Sequence, residues 1–249
     1  YSVAYESYNI VLILSTYSLP LAVSKLVAVR TANKEFRNAY KIFLGAMSLA
    51  IVVGLVAALI IYFGSDLLAT LFGYPQAAIP LRILAPAIFI LAVLGVLRGY
   101  FQGKNTMMPT AISQILEQII NAVVSIFAAY YFMKQHSASV NIAAYGAAGG
   151  TLGTCLGALF ALLFLLFVFT LYYPTIKKQR QRDKNSARES YQDIYKALVI
   201  TIVPVILSQA VYQLSGSVDS ALFGNIMAAK GFPEEIRSGL LGVYSNKYR

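Results

Sequence analysis

Thr110, Gln114, Glu117, Gln118, Asn121 and Ser125 are polar residues set inside a helix-length apolar stretch, residues 109–133. At about 100° per residue all six fall on a face about 100° wide, and the stripe rises about 22 Å. Unpaired polar groups in hydrocarbon are costly, so this face is expected to look onto protein, water or a passing polar substrate. Glu117 is the only charged residue between Lys104 and Lys134. A carboxyl group there can tie helices together, couple to a proton or cation, or contact substrate hydroxyls. The neighbouring amides Gln114, Gln118 and Asn121 favour the functional uses over simple helix tying, because the whole face is polar. This is the chemistry of a transport path.

A second stripe recurs near the end of the chain, where Gln209, Gln213, Gly216 and Ser220 share one face beside Tyr212 and Asp219. Asp219 and Glu6 lie toward the outer ends of their apolar stretches, where interface water can solvate a carboxylate. Two polar helix faces in one bundle predict a hydrated cavity. Its lining or gating candidates are Gln114, Glu117, Gln118, Asn121, Gln209, Gln213 and Asp219.

Other chemistries find little support. His136 is the sole histidine and falls in a short external loop, which argues against a Ser/His/Asp triad. Neither a phosphate-cradling glycine loop nor a dinucleotide fingerprint is present. The single cysteine, Cys155, excludes an internal disulfide and any multi-cysteine metal site. No catalytic residue, cofactor or metal ligand is assigned, and the chain does not read as an enzyme.

Composition explains where the polar stripes must sit. The chain is 58% apolar and 12% charged, against about 45–50% and 25% in soluble domains. That balance is the signature of an integral membrane protein. Six stretches are long and apolar enough to span a bilayer, about 5–28, 40–63, 79–100, 109–133, 146–172 and 198–227. Trp is absent, and Tyr residues such as Tyr62, Tyr130 and Tyr172 can take its interfacial place.

The net charge of +10 is distributed as a topology signal, not as a nucleic-acid surface. Lys25, Arg30, Lys34, Arg37, Lys41, Arg98, Lys104 and the basic run 177–188 fall on one side of the six spans. Arg82, Lys134, Lys230 and Arg237 fall on the other. The richer side is expected to be cytoplasmic, and the run 177–188 to meet lipid headgroups there.

Small residues spaced by four allow helices to approach closely in lipid. Three such ladders are present: Gly95–Gly99–Gly103, Gly149–Gly153–Gly157 and Ala50–Gly54–Ala58. Pro20, Pro86 and Pro204 interrupt apolar spans and are expected to bend them. The chain starts at Tyr1 and is expected to be an internal piece of a longer protein.

The segment Tyr5–Val29, YESYNIVLILSTYSLPLAVSKLVAV, resembles the second helix of the bacterial polysaccharide-biosynthesis flippases. The run RGYFQG at Arg98–Gly103, a short polar gap, and PTAISQILEQ at Pro109–Gln118 resemble the fourth and fifth helices of their SpoVB/YtgP branch. That branch stands with MurJ-type lipid II flippases and MATE multidrug exporters in one superfamily (multidrug/oligosaccharidyl-lipid/polysaccharide, MOP). Tyr17-Ser18-Leu19-Pro20 departs from the family pattern, which often has Gly before the Pro.

The resemblance implies an all-α, polytopic transmembrane bundle of the MOP/MATE type, this chain supplying the second to seventh of about fourteen helices. Residues 1–172 would belong to the N-terminal lobe, 173–197 would be a basic cytoplasmic loop between lobes, and 198–249 would start the C-terminal lobe. It also implies flipping of an undecaprenyl-diphosphate-linked oligosaccharide, such as lipid II or a polysaccharide precursor, in a bacterial cell membrane. Lys25 and Arg98 are the nearest candidates here for the diphosphate, although both also suit snorkelling at cytoplasmic helix ends. A cation gradient or the membrane potential is a candidate energy source. Two competing readings stand beside this one, a MATE-like cation-coupled multidrug exporter and a non-transporting scaffold of an envelope-building complex.

Overall fold

In hydrocarbon a chain can satisfy its backbone N–H and C=O groups within one segment only as a helix. Long apolar runs without turn signals should therefore become helices. The computed structural model describes residues 18–71, 78–137, 142–183, 187, 189–231 and 240, and every regular element among them is helical. The order is α1 (Ser18–Ala32), α2 (Phe36–Leu71), α3 (Ala78–Gly103), α4 (Met108–Gln135), α5 (Ile142–Arg182) and α6 (Tyr191–Ala229).

Five stretches are long and apolar enough to cross a membrane: Phe36–Leu67, Ala78–Gly103, Met108–Gln135, Ala144–Arg182 and Tyr191–Ser208. The expected first span, 5–28, falls partly on residues outside the described ones, with α1 covering the rest.

Helices run further than the apolar runs alone predict. The segment 173–197, expected as a loop between lobes, is helical over 173–182 and 191–197, so the connection shrinks to 183–190. Pro174 sits inside α5 and does not end it. Beyond the apolar run the helix is held by its neighbours. Arg37 Nε donates to the Arg180 carbonyl (3.1 Å), and the Arg180 guanidinium lies 4.1 Å over the Tyr40 ring.

The two short turns at the basic end share one design. After α1, Glu35 N–H reaches back to the Arg30 carbonyl (2.8 Å) with Lys34 at φ 62°. After α3, Thr106 N–H reaches the Phe101 carbonyl (3.0 Å) with Asn105 at φ 57°. A single left-handed residue closing a helix this way satisfies its last carbonyls. Asn38 then anchors the 183–190 connection: its Nδ2 donates to the Ala187 carbonyl (2.9 Å) and its Oδ1 accepts from Glu189 N–H (3.3 Å). Arg30 pairs with Glu189 at 2.9 Å, tying the same connection to α1.

α3 is the centre of the bundle. The Gly99–Gly103 part of its ladder meets α1, where an added Cβ at Gly99 would lie 2.6 Å from the Pro20 carbonyl oxygen. Gly54 of the α2 ladder meets Ala92 of α3. Phe43, Tyr100, Phe101 and Phe169 close the core with ring centroids 4.7 Å (Phe43–Tyr100) and 5.2 Å (Phe43–Phe169) apart. α4 is the exception: it packs mainly on α5 and leaves Ile115, Ile119, Ile126 and Phe127 exposed, the apolar side a lipid tail would cover.

Candidate functional site

The third small-residue ladder determines how α4 sits. A Cβ added at Gly149 would lie 2.3 Å from Ala129 N, one at Gly153 2.0 Å from Ser125 Oγ, and one at Gly157 2.7 Å from the Glu117 carbonyl. α4 and α5 therefore lie backbone to backbone over three turns. Ser125 Oγ stands 2.9 Å from the Gly150 carbonyl and 2.9 Å from Asn121 Oδ1, and it can donate its one proton to either. Asn121 and Ser125, taken from sequence alone as part of a polar path, thus serve the α4–α5 contact.

Nearer the start of α4 the stripe turns to α3. Arg98 extends from α3 and places Nη2 2.7 Å from Glu117 Oε2, and both side chains are largely buried, 13% and 14% exposed. Arg98 Nε donates to Ser113 Oγ (3.0 Å), and that hydroxyl donates to the Thr110 carbonyl (2.7 Å). Thr110 and Ser113 are themselves buried. The guanidinium is therefore held by a carboxylate and a hydroxyl of one helix face. Glu117 lies about 14 Å along α4 from its start, well inside the span. Arg98 is thus one half of a largely buried ion pair between α3 and α4.

Gln114 and Gln118 flank this pair and remain exposed, with no hydrogen bond among the described residues. Lys25 stands exposed on α1 and forms no ion pair or hydrogen bond among the described residues, so nothing joins it to Arg98. Gln209, Gln213 and Asp219 lie along α6, but their side chains fall outside the described ones, as does Glu6 entirely. His136 caps α4: its backbone N–H donates to the Phe132 carbonyl, and its ring stacks on Tyr145 at 3.8 Å. Among the described residues no group of His, Cys, Asp and Glu is placed to hold a metal ion.

Ser113 escaped the sequence reading, although it lies only about 40° round the helix from Glu117. The signal was present in the spacing of Thr110, Ser113 and Glu117. What made it informative was Arg98, fifteen residues earlier in the chain and on another helix.

Comparison with known proteins places this arrangement. The whole chain, residues 1–249, matches the family described as polysaccharide biosynthesis protein. It is 26% identical over 148 residues to lipid II flippase MurJ of Bacillus subtilis, covering 56% of this chain and 27% of that protein. It is 33% identical over 121 residues to stage V sporulation protein B of the same organism, covering 48% and 23%. The matched part thus covers about a quarter of the length of these curated relatives. Among solved structures, a MATE protein in its straight conformation superposes with a TM-score of 0.72 at 19% identity, over 98% of this chain and 50% of that one. An inward-facing MATE transporter of the MOP superfamily gives 0.68 at 19% identity, over 90% and 47%. With its helices on the MATE fold and its full length matched by the family's pattern, the chain belongs to the polysaccharide biosynthesis protein family of multi-pass bacterial membrane proteins.

Proposed function

We propose that the protein carrying this chain is a flippase that moves an undecaprenyl-diphosphate-linked oligosaccharide, lipid II or a polysaccharide precursor, across the membrane by alternating access. The observation that carries the reading is the Arg98–Glu117 pair with exposed Gln114 and Gln118 beside it. A guanidinium bonded to one carboxylate oxygen can exchange that partner for a phosphate oxygen. The two amides can donate to and accept from sugar hydroxyls. While the pair is closed, neither charge is left bare in hydrocarbon. The Bacillus subtilis relative, lipid II flippase MurJ, is named for such a substrate.

A cation-coupled exporter would put a carboxylate at the disposal of a proton or metal cation. Glu117 is instead committed to Arg98, which favours the flippase reading.

The test is complementation by the full-length protein in cells depleted of their lipid II flippase, with Arg98→Ala, Glu117→Ala and Gln118→Ala alongside. Rescue by wild type, and its loss in all three variants at normal membrane levels, is the expected result. Rescue by Gln118→Ala as well would demote the amides to bystanders. An expressed wild type that fails to rescue would direct the assignment to another lipid-linked glycan or to drug export.

A further inference from the structure

A cavity whose lining does not include Arg98 or Glu117 lies at the basic end of the bundle, between the start of α2, the end of α5 and the start of α6. It holds about 510 Å³, within the range of about 300–1,000 Å³ typical of small-ligand clefts. Arg37, Lys41, Lys177 and Arg180 line it together with Tyr40 and Tyr191, and no carboxylate is in the lining. Two nearby acids have partners outside the lining side chains. Asp183 accepts the Arg37 backbone N–H (2.9 Å), and the Glu189 carboxylate pairs with Arg30. Two of the cations are propped by rings, Arg180 over Tyr40 at 4.1 Å and Lys41 over Tyr191 at 5.4 Å, so their heads are positioned before any ligand arrives.

Four converging cations without a lining counter-charge repel one another and create a positive potential that an anion relieves. Val52 and Leu59 lie within about 20° of Lys41 round α2, and both are exposed. An apolar track therefore leads from the cationic pocket along the side of the helix. A headgroup and its acyl chain have this same layout.

We propose that this pocket is a binding site for the phosphate of an anionic membrane lipid, with the lipid chain lying along α2. Because it joins α2 to both sides of the 183–190 connection, an occupied pocket clamps α5 and α6 against α2 at the membrane surface. The assignment does not depend on what the protein transports.

Native mass spectrometry of the full-length protein in detergent, titrated with phosphatidylglycerol and with phosphatidylcholine, tests it. Lys177→Gln is the reporter, since Lys177 is exposed and forms no hydrogen bond or ion pair among the described residues. Lys178→Gln, the same charge change one residue along and outside the lining, is the control. Phosphatidylglycerol should bind wild type in preference to phosphatidylcholine. Its affinity should fall about five-fold in Lys177→Gln, the effect of one cation beside an anionic headgroup, and stay unchanged in Lys178→Gln. Equal losses in the two variants would show diffuse surface charge and overturn the pocket, as would no loss in either. Equal binding of the two lipids would overturn the anionic assignment. Displacement of the lipid by millimolar glycerol phosphate would reassign the pocket to a soluble phosphate.

Discussion

Arg98 and Glu117 stand on helices that a short turn joins and that touch little elsewhere, yet their guanidinium and carboxylate meet at 2.7 Å inside the membrane-spanning region. Ser113 holds the other side of the guanidinium at 3.0 Å. α4 is therefore fixed on two sides by different physics, by close backbone packing on α5 and by an ion pair with its hydrogen bond to α3. The packed side has no obvious second arrangement. The paired side opens when Glu117 and Ser113 release the guanidinium, provided another anion replaces the carboxylate.

Removing one member of a buried pair leaves the other charge without compensation. Arg98→Ala should lower the stability of the full-length protein by about 3–5 kcal/mol, whereas Arg98→Met with Glu117→Leu should restore most of it. Thermal unfolding in detergent reads both. A double variant as unstable as the single one would show that the pair contributes through packing instead of charge.

The α4–α5 seam has no room for a methyl group. In Gly153→Ala the new Cβ would lie 2.0 Å from Ser125 Oγ and 2.7 Å from the Asn121 carbonyl, so the helices must part. The expected loss is about 1–3 kcal/mol. Gly64→Ala places its Cβ in open space within α2 and should leave stability unchanged or raise it by up to about 1 kcal/mol. A gain in both variants would mean that helix propensity, which favours Ala over Gly, sets the response and not the seam.

Lys104, in the turn after α3, donates to Gln179 Oε1 and lies 5.0 Å over the Phe36 ring. Burial holds its pKa below the usual lysine value of 10.5. The unfolded chain then binds more protons than the folded one over the interval between the depressed value and 10.5. Stability contributed by this group should rise as pH climbs through that interval. Lys104→Met should remove that part of the rise, seen as a flatter plot of Tm against pH than wild type gives. Parallel plots would show that the ammonium is as well solvated folded as unfolded.

Much of this molecule is legible locally. Apolar runs of about 20 residues dictate membrane helices because hydrocarbon leaves the backbone no other partner. Small residues spaced by four mark the seams, and Gly99, Gly103, Gly54, Gly149, Gly153 and Gly157 all lie where helices meet. The polar stripe of α4 is likewise readable, since it depends only on the turn of one helix. Its division is not readable. Asn121 and Ser125 face α5, Glu117 faces Arg98, and Gln114 and Gln118 face neither. The α5 extension past Pro174 and the cationic pocket at the basic end also depend on which helices stand side by side. Periodicity along one chain segment determines which groups share a face. The neighbour that completes each group's hydrogen bonds or charge comes from elsewhere in the chain, and only the tertiary structure decides that pairing.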